Sequence, residues 1–353
     1  MPLQMVHLNG SVNLPDTETV MRALAERIPK LRRIPDGETG SERKIWLAFQ
    51  MQKFLRAQGL EAVEPPADDE RPVELKYSQT KLSKDTDPMQ IGWPEIGYCG
   101  FYRESWNVFD RLARNGVIAA DVRFQVQFPT PLAAVSSYVV REDALLVEPS
   151  YERALFGDLD QLLDSVPHSR IAVQWDLPVE IGVLEAPELF AVADKQSLES
   201  VARGVARCIS HVPSSVPVGM HLCYGDAEHR HWKEPVSLRT QVELVNAVEA
   251  IARREINWCS FTVPQYVRDA EYFAPLANLT PSLAEPYLAL VPYHPGEQQP
   301  GTVENQVRLV EQCLGQRPWG ICTECGLVNV DRGEIPALLD LHSEILRRFV
   351  AAQ

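Results

Sequence analysis

The chain has 353 residues, of which 45% are hydrophobic, so it can bury a large core as one barrel or as two smaller domains. Its formal net charge of −14 argues against nucleic acid or an anionic membrane as a partner. No apolar run approaches the length of a transmembrane helix, and the N-terminus shows no secretory signal. Seven cysteines without scaffold-like spacing predict free thiols in a reducing cytoplasm.

Short apolar runs alternate with longer amphipathic segments along the whole chain. The spacing predicts strands over residues 4–9, 31–35, 121–128, 170–176, 216–224, 256–263, 287–293 and 318–324. It predicts helices over residues 16–28, 41–58, 103–115, 151–166, 195–212, 236–253, 302–316 and 334–350. Eight such alternations without a glycine-rich phosphate loop favour a (β/α)8 TIM barrel of the α/β class over a doubly wound sheet.

Residues 60–100 interrupt this alternation, because they are rich in Pro, Asp and Glu and contain no good helix. We interpret them as an insertion after the second βα unit, within a single barrel domain that covers residues 1–353. A short strand pair near residues 73–79 and 96–102 is one interpretation of this segment. Whether the segment covers the barrel mouth as a lid or only decorates the barrel stays open at this point.

The side chains with the clearest chemistry stand at two predicted strand ends. His221 and Cys223 alternate along one strand, so both should point to one face, and Cys325 follows the last strand. Because active sites of such barrels lie at the carboxyl ends of the strands, the three predict a soft site suited to Zn²⁺ with room for a fourth ligand. The two sulfurs must then lie within about 5 Å of each other. The alternative is two buried core cysteines and a hydrogen-bonded core histidine.

Three residues close in sequence to the predicted ligands, Cys322, His229 and His231, are not predicted to bind the metal. Cys322 and Cys325 form a C-x-x-C pair, but residues three apart on a strand face opposite sides, so Cys322 is predicted to be core. A redox pair is the alternative, although that motif usually stands at a helix N-terminus in a thioredoxin-like setting. His229 and His231 lie in a polar run and are predicted to be solvated loop residues rather than metal ligands.

Other polar residues follow predicted strands and are expected to reach the same mouth. They are Ser11 after the first strand, Asp36 and Glu38 after the second, Asp176 at the end of the fourth and His294 after the seventh. Each alone is commonly a loop hydrogen bond or a helix cap. Together they offer a clamp for an acid and an amine, and a proton donor, around one cavity.

The order of these motifs resembles the catalytic C-terminal barrel of cobalamin-independent methionine synthase, in the superfamily that includes uroporphyrinogen decarboxylase. The resemblance rests on residues 9–15 (NGSVNLP), 36–38 (DGE), 174–178 (QWDLP), 221–224 (HLCY), 294–295 (HP) and 324–327 (ECGL). It implies zinc ligands at His221, Cys223 and Cys325. It further implies that the amino and carboxylate ends of an amino-acid thiol are held by Ser11, Glu38 and Asp176. It implies that His294 protonates the leaving group.

The chain departs from that family's pattern at several places. Thr262 stands where the family has a glutamate ligand, and Leu177 replaces the second acid of its I-D-E-P motif. The basic pair after D-C-G-L is missing here, and this sequence does not contain the family's separate folate-binding N-terminal barrel. These departures make the identity of the fourth zinc ligand and the use of folate the open points of the resemblance.

These observations predict an enzyme that transfers a methyl or other alkyl group to a small thiol or amino-acid-like substrate, activated as a zinc thiolate. A zinc-dependent lyase or hydrolase on the same barrel, without folate, is the first alternative. A metal-free binding protein or a decarboxylase-like barrel is the second. No nucleic acid or membrane partner is expected, and association into a homo-oligomer is left open.

Overall fold

The computed structural model describes residues 2–28, 30–40, 42–43, 47–63, 78–190, 196–226 and 230–350. The strands are β1 (Leu3–Val6), β2 (Arg33–Pro35), β3 (Leu60–Val63), β4 (Gln79–Leu82), β5 (Arg123–Pro129), β6 (Ile171–Asp176), β7 (Val218–His221), β8 (Trp258–Phe261), β9 (Glu285–Leu288) and β10 (Trp319–Ile321). The helices are α1 (Thr17–Arg27), α2 (Met51–Arg56), α3 (Tyr98–Arg114), α4 (Pro131–Tyr138), α5 (Arg141–Leu163), α6 (Pro178–Glu185), α7 (Leu198–His211), α8 (Arg239–Ile251), α9 (Ala270–Phe273), α10 (Thr302–Leu314) and α11 (Ile335–Val350).

Eight of the strands form one parallel sheet in the order β1-β10-β9-β8-β7-β6-β5-β2. The two outer strands of this order approach each other just beyond their carboxyl ends, where Ser11 and Gly37 form a parallel bridge. The backbone N–H of Val12 donates to the carbonyl of Gly37 at 2.9 Å. The predicted (β/α)8 barrel is therefore confirmed, and the carboxyl ends of all eight strands lie around one mouth.

Each of the eight predicted barrel strands overlaps an observed strand, but three helices were not predicted. Two of them, α4 and α6, begin at a proline that is separated from the preceding strand by one residue, and seven of eight residues in α4 and five of eight in α6 are buried. A helix that is buried on most sides shows no alternation between an apolar and a polar face, so the sequence carries no helical period there. The third, α9, has only four residues.

The insertion packs beside the barrel helices in the part of it that the structure describes. Strands β3 and β4 pair antiparallel, with Leu60 opposite Leu82. Thr80 Oγ1 donates to the carbonyl of Tyr138 at 2.9 Å, so the hairpin is tied to the end of α4. The predicted strand at 96–102 is wrong, because α3 begins at Tyr98. Residues 64–77 lie outside the described residues, and the lid stays a prediction.

A charged cluster fills the end of the barrel opposite the mouth. Arg33 opens β2 and is almost fully buried, with its guanidinium 4.0 Å from the centre of the Trp258 ring. Its Nη2 lies 2.6 Å from the carboxylate of Glu285, and the same nitrogen donates to the Tyr287 hydroxyl at 2.9 Å. Burial alone would raise the pKa of Glu285, but the charge of Arg33 lowers it below its ordinary value. This end of the barrel is therefore closed by a paired buried charge.

None of the helices in the described part of the chain is long and apolar enough to cross a membrane.

Candidate metal and substrate site

Three predicted ligands come together at the mouth of the barrel. His221 ends β7, Cys223 follows two residues later, and Cys325 lies just beyond β10, the third strand along the sheet from β7. One side-chain atom of each, a ring nitrogen and two sulfurs, lies within 4.8 Å of the others. The separation is inside the limit of about 5 Å that two zinc–sulfur bonds can span. His221 and Cys223 are buried, and Cys325 is half-buried.

The His221 ring is held on both sides. Its Nδ1 lies 3.1 Å from Oδ1 of Asp176, and its Nε2 lies 3.2 Å from the carbonyl oxygen of Glu324. Burial lowers the pKa of His221, but hydrogen bonds to Asp176 and Cys325 outweigh it and raise that pKa to about 10. When Nδ1 donates to Asp176, Nε2 is the nitrogen on the side of the cysteine, which is the orientation that carboxylates impose on metal-bound histidines.

The sulfurs of Cys223 and Cys325 lie close together at the site. A hydrogen bond from the Cys325 thiol to Cys223, together with burial, raises the pKa of Cys325 well above its ordinary value. The backbone of Cys325 is fixed by Tyr293, whose hydroxyl accepts its N–H at 2.6 Å and donates to the carbonyl of Gly326 at 3.1 Å. Burial and the neighbouring sulfur therefore favour the protonated form of the Cys325 thiol.

Ser11 lies against the turn that carries Cys325. A methyl group at position 326 would stand 2.1 Å from Ser11 Oγ, so the two residues pack as closely as a glycine allows. The backbone N–H of Leu327 donates to the carbonyl of Ser11 at 2.6 Å. The first and last strand ends thus form one continuous piece of the rim.

Glu38 reaches the same rim in a strained turn. Gly37 has a φ of +80° and Glu38 a φ of +50°, and the backbone N–H of Glu38 donates to Asp36 Oδ1 at 2.9 Å. Asp36 pairs with the buried Arg43, whose Nη2 also lies 3.8 Å from the carboxylate of Glu38. Burial raises the pKa of Glu38 to about 8, against the opposing charge of Arg43 and with the support of Asp176. Arg43 was not predicted, because it lies on no recognisable motif.

The carboxylate of Asp176 contacts two side chains of the protein, Gln174 and His221. Its Oδ1 accepts a hydrogen bond from Gln174 Nε2 at 3.0 Å in addition to its contact with His221. The side chain thus orients the histidine, a role that the sequence analysis did not assign to it.

His294 lies on the rim beside Tyr293, the residue that holds Cys325. It is half-buried, and its backbone N–H donates to Gln265 Oε1 at 3.3 Å. A short 3-10 helix, Pro295–Glu297, begins directly after it. The loop that carries His294 is therefore anchored next to Cys325.

His231 is not a solvated loop residue, and that prediction is wrong. Its side chain is 13% exposed, with Nε2 2.6 Å from Glu324 Oε2 and Nδ1 3.2 Å from Glu234 Oε2. Burial lowers the pKa of His231, but its bonds to these two carboxylates raise it to about 9. The ring thus packs beside the segment that carries Cys325, outside the group of three ligand atoms. His229 lies outside the described residues.

Thr262 and Cys322, two other residues that the sequence analysis discussed, do not join the group of three. Thr262 is buried, and its Oγ1 donates to the carbonyl of Leu222 at 2.9 Å. Cys322 is fully buried in the hydrophobic core, and it is not one of the three residues whose ligand atoms converge. The group of three therefore has neither Thr262 nor Cys322 as a fourth member in this conformation.

Comparison with known proteins gives a structural relationship and no sequence relationship. The chain matches no protein-family model and no curated protein sequence. Among solved structures it is similar to a B12-independent methionine synthase from a Shewanella species, determined in complex with selenomethionine, with a TM-score of 0.64, 12% identity and 99% of each chain covered. The fold is shared. A putative vitamin-B12-independent methionine synthase from Listeria monocytogenes gives a TM-score of 0.55 at 12% identity, over 97% of this chain and 98% of that one.

The resemblance to methionine synthase barrels is therefore confirmed as a likeness of fold. At 12% identity, the reaction, the substrate and the metal of this chain do not follow from that likeness. They are argued below from the residues of the site.

Proposed function

We propose that this protein is a zinc-dependent transferase that moves a methyl or other alkyl group to the thiol of a small amino-acid-like substrate. The observation that carries the proposal is the convergence of one imidazole nitrogen and two cysteine sulfurs within 4.8 Å at the barrel mouth. The contact between Asp176 and the far nitrogen of His221 supports it, because metal-bound histidines are usually oriented by such a partner.

The donor set fits zinc. Two thiolates and one imidazole are soft or borderline ligands, and catalytic zinc sites commonly use three protein ligands and keep one position open. Bound Zn²⁺ would lower the pKa of a substrate thiol and so make it a nucleophile at neutral pH. Two of the proposed ligands are oriented by their neighbours, since Tyr293 fixes the Cys325 backbone and Asp176 contacts the His221 ring.

The remaining rim residues suit a zwitterionic substrate. Asp176 offers a carboxylate and Glu38 a buried carboxyl group whose oxygens can accept hydrogen bonds from a substrate ammonium, and Ser11 lies against the Cys325 turn. We assign to His294, on the loop beside Tyr293, the donation of a proton to the leaving group as the alkyl carbon is transferred. General acid catalysis of this kind contributes about 10²–10⁴-fold to a rate.

A second candidate is a zinc-dependent lyase or hydrolase. It is favoured by Thr262, whose hydroxyl is committed to Leu222 and leaves the fourth position at the metal free for water as well as for a thiol. The two candidates differ in whether the metal would activate a thiol or a water molecule.

Metal analysis of protein purified without added zinc tests the proposal first. We expect about one zinc per chain, and loss of that zinc in the variants Cys223→Ser and Cys325→Ser. The matched control is Cys322→Ser, which changes a cysteine only three residues away that lies in the core. The proposal fails if wild-type protein carries no stoichiometric zinc, or if all three variants keep it equally.

A screen of thiols then separates the two candidates. The transferase predicts that an amino-acid thiol releases about one proton on binding to the zinc-loaded protein near neutral pH. The lyase or hydrolase predicts no thiol binding and a water-dependent turnover. Zinc-loaded protein that binds no thiol would therefore favour the second candidate.

A further inference from the structure

We propose that the side-chain amide of Gln127 binds the carboxylate of the thiol substrate. This inference rests on the proposed function and names a residue that the sequence motifs do not include. It starts from the inside of the barrel, one layer below the rim.

Gln127 points into the barrel beneath the predicted ligands. It lies on β5, where it is paired in register with Gln174 of β6, and the next inward pair is Pro129 with Asp176. Since side chains of directly paired residues share a face, Gln127 lies at the level just below the carboxylate that contacts His221.

The amide of Gln127 has no hydrogen-bond partner in the part of the chain that the structure describes. The residue is 1% exposed, and both its Oε1 and its Nε2 are unpaired. The two glutamines beside it both donate through Nε2, Gln125 to the carbonyl of Leu8 at 2.9 Å and Gln174 to the carbonyl of Asn9 at 2.7 Å, so that only Gln127 has both amide atoms unpaired among the three, while Gln125 has its Oε1 unpaired. An unpaired buried amide costs free energy, so an outside partner is expected at this position.

The position of Gln127 is determined by two neighbours. The hydroxyl of Tyr102 accepts the Gln127 backbone N–H at 2.9 Å and donates to its carbonyl at 2.5 Å, which fixes the backbone. The side chain lies against Gly10, where a Cβ atom would stand 2.6 Å from Gln127 Nε2. Gly10 also has a φ of +145°, so the turn before Ser11 leaves room for the amide in a conformation that suits glycine.

These contacts place the amide beside the predicted substrate turn. Gly10 precedes Ser11, which touches Gly326, the residue after Cys325. A substrate whose sulfur lies at Cys325 and whose other end reaches Ser11 would therefore extend toward Gln127.

The charges on the rim favour a carboxylate as the group that Gln127 binds. Glu38 and Asp176 suit the ammonium of an amino acid, while the nearby Arg43 guanidinium is already paired with Asp36. With Arg43 committed to Asp36, the unpaired Nε2 of Gln127 is the neutral N–H donor that we assign to the substrate carboxylate. Its Oε1 can accept a hydrogen bond from the ammonium of the same substrate.

The test compares L-homocysteine with 3-aminopropane-1-thiol, which has the same thiol and amine but no carboxylate. Affinities are measured by calorimetry on zinc-loaded wild-type protein and on Gln127→Met, which keeps the volume and removes the amide. We expect wild type to bind homocysteine about 10–100-fold more tightly than the aminothiol, because a buried hydrogen bond to a charged group usually contributes that much to affinity. Gln127→Met should lose most of this preference. Zinc content should be unchanged.

Gln125→Met is the matched control, because it makes the same change two residues deeper on the same strand. It should keep the preference for homocysteine. Wild-type protein that binds both thiols equally, or a Gln127→Met protein that keeps the full preference, overturns this inference alone, and the amide is then only hydrated. Zinc-loaded wild-type protein that binds neither thiol overturns the proposed function and this inference with it.

Discussion

The ring of His221 contacts the carboxylate of Asp176, with 3.1 Å between Nδ1 and Oδ1, on the side opposite the cysteine. These residues end neighbouring strands and are paired in register. The contact orients the imidazole, with Nε2 on the side of Cys325 and the Glu324 carbonyl. This relationship supports the proposal that the group of three binds a metal ion.

The first prediction concerns Asp176. The variant Asp176→Asn should weaken zinc binding about 10–100-fold, because the amide no longer favours the ring orientation with Nε2 toward the cysteines. Competition with a chromophoric chelator measures the dissociation constant. The control is Glu180→Gln, another fully buried carboxyl group that contacts Thr130 instead. Equal zinc affinity in Asp176→Asn and wild type would contradict the orienting role.

The second prediction concerns the pH dependence of stability. Burial raises the pKa of Glu38 to about 8 from an ordinary 4.5, so between these values the folded protein holds a proton that the unfolded chain releases. Stability from this group is complete below pH 4.5 and is lost as the pH rises through about 8, with a slope of at most about 1.4 kcal/mol per pH unit.

Denaturant unfolding of metal-free protein between pH 5 and 8 measures this effect. We expect Glu38→Gln to lose less stability than wild type as the pH rises over this range, since glutamine does not titrate. Identical pH profiles of the two proteins would show that Glu38 ionises normally.

The third prediction concerns the closed end of the barrel. Glu285→Gln should lower the free energy of unfolding by about 3–5 kcal/mol, because it leaves the buried Arg33 charge without its partner. The control is Arg32→Gln, which removes a half-exposed arginine from the same carboxylate and should cost less than about 1 kcal/mol. Urea denaturation compares the three proteins, and similar losses in both variants would argue against the buried pair.

The fourth prediction concerns the contact between the first and last strand ends. Gly326→Ala places a methyl group 2.1 Å from Ser11 Oγ and 3.0 Å from its backbone nitrogen, so the turn must move. We expect a loss of about 1–3 kcal/mol in unfolding free energy, which is typical of overpacking, together with weaker thiol binding.

Gly100→Ala is the control for that change. Its methyl group meets nothing within 4 Å, and it lies in α3, so the substitution should be neutral or stabilising by up to about 1 kcal/mol. Thermal unfolding and thiol titration are measured on both variants. A Gly326→Ala protein with unchanged melting temperature and thiol affinity would contradict the close contact.

The barrel itself was predictable because its signal is local. Each strand is a short apolar run, and eight alternations with amphipathic helices leave few other architectures. Once the barrel was assumed, the strand-end positions of His221, Cys223 and Cys325 placed them at one mouth. The helices α4 and α6 were not predicted because most of their residues are buried, so their sequences show no helical alternation of apolar and polar residues.

The contacts around the site were not predictable in the same way. His231 looked solvated, since nothing near it in the chain reveals that Glu324 lies 2.6 Å away in the fold. Arg43 had no motif, and its role depends on the turn that brings Asp36 and Glu38 together. Gln127 is one of several glutamines, and only the finished barrel shows that its amide is left unpaired.

By itself, then, the sequence determined the barrel and the rim on which its polar residues stand, because periodicity and strand direction are properties of the local chain. Only the tertiary structure decided which of those residues touch, as with Asp176 against His221 and Ser11 against Gly326. Such contacts depend on register, rotamer and the closure of the sheet, and these arise only when distant segments pack together.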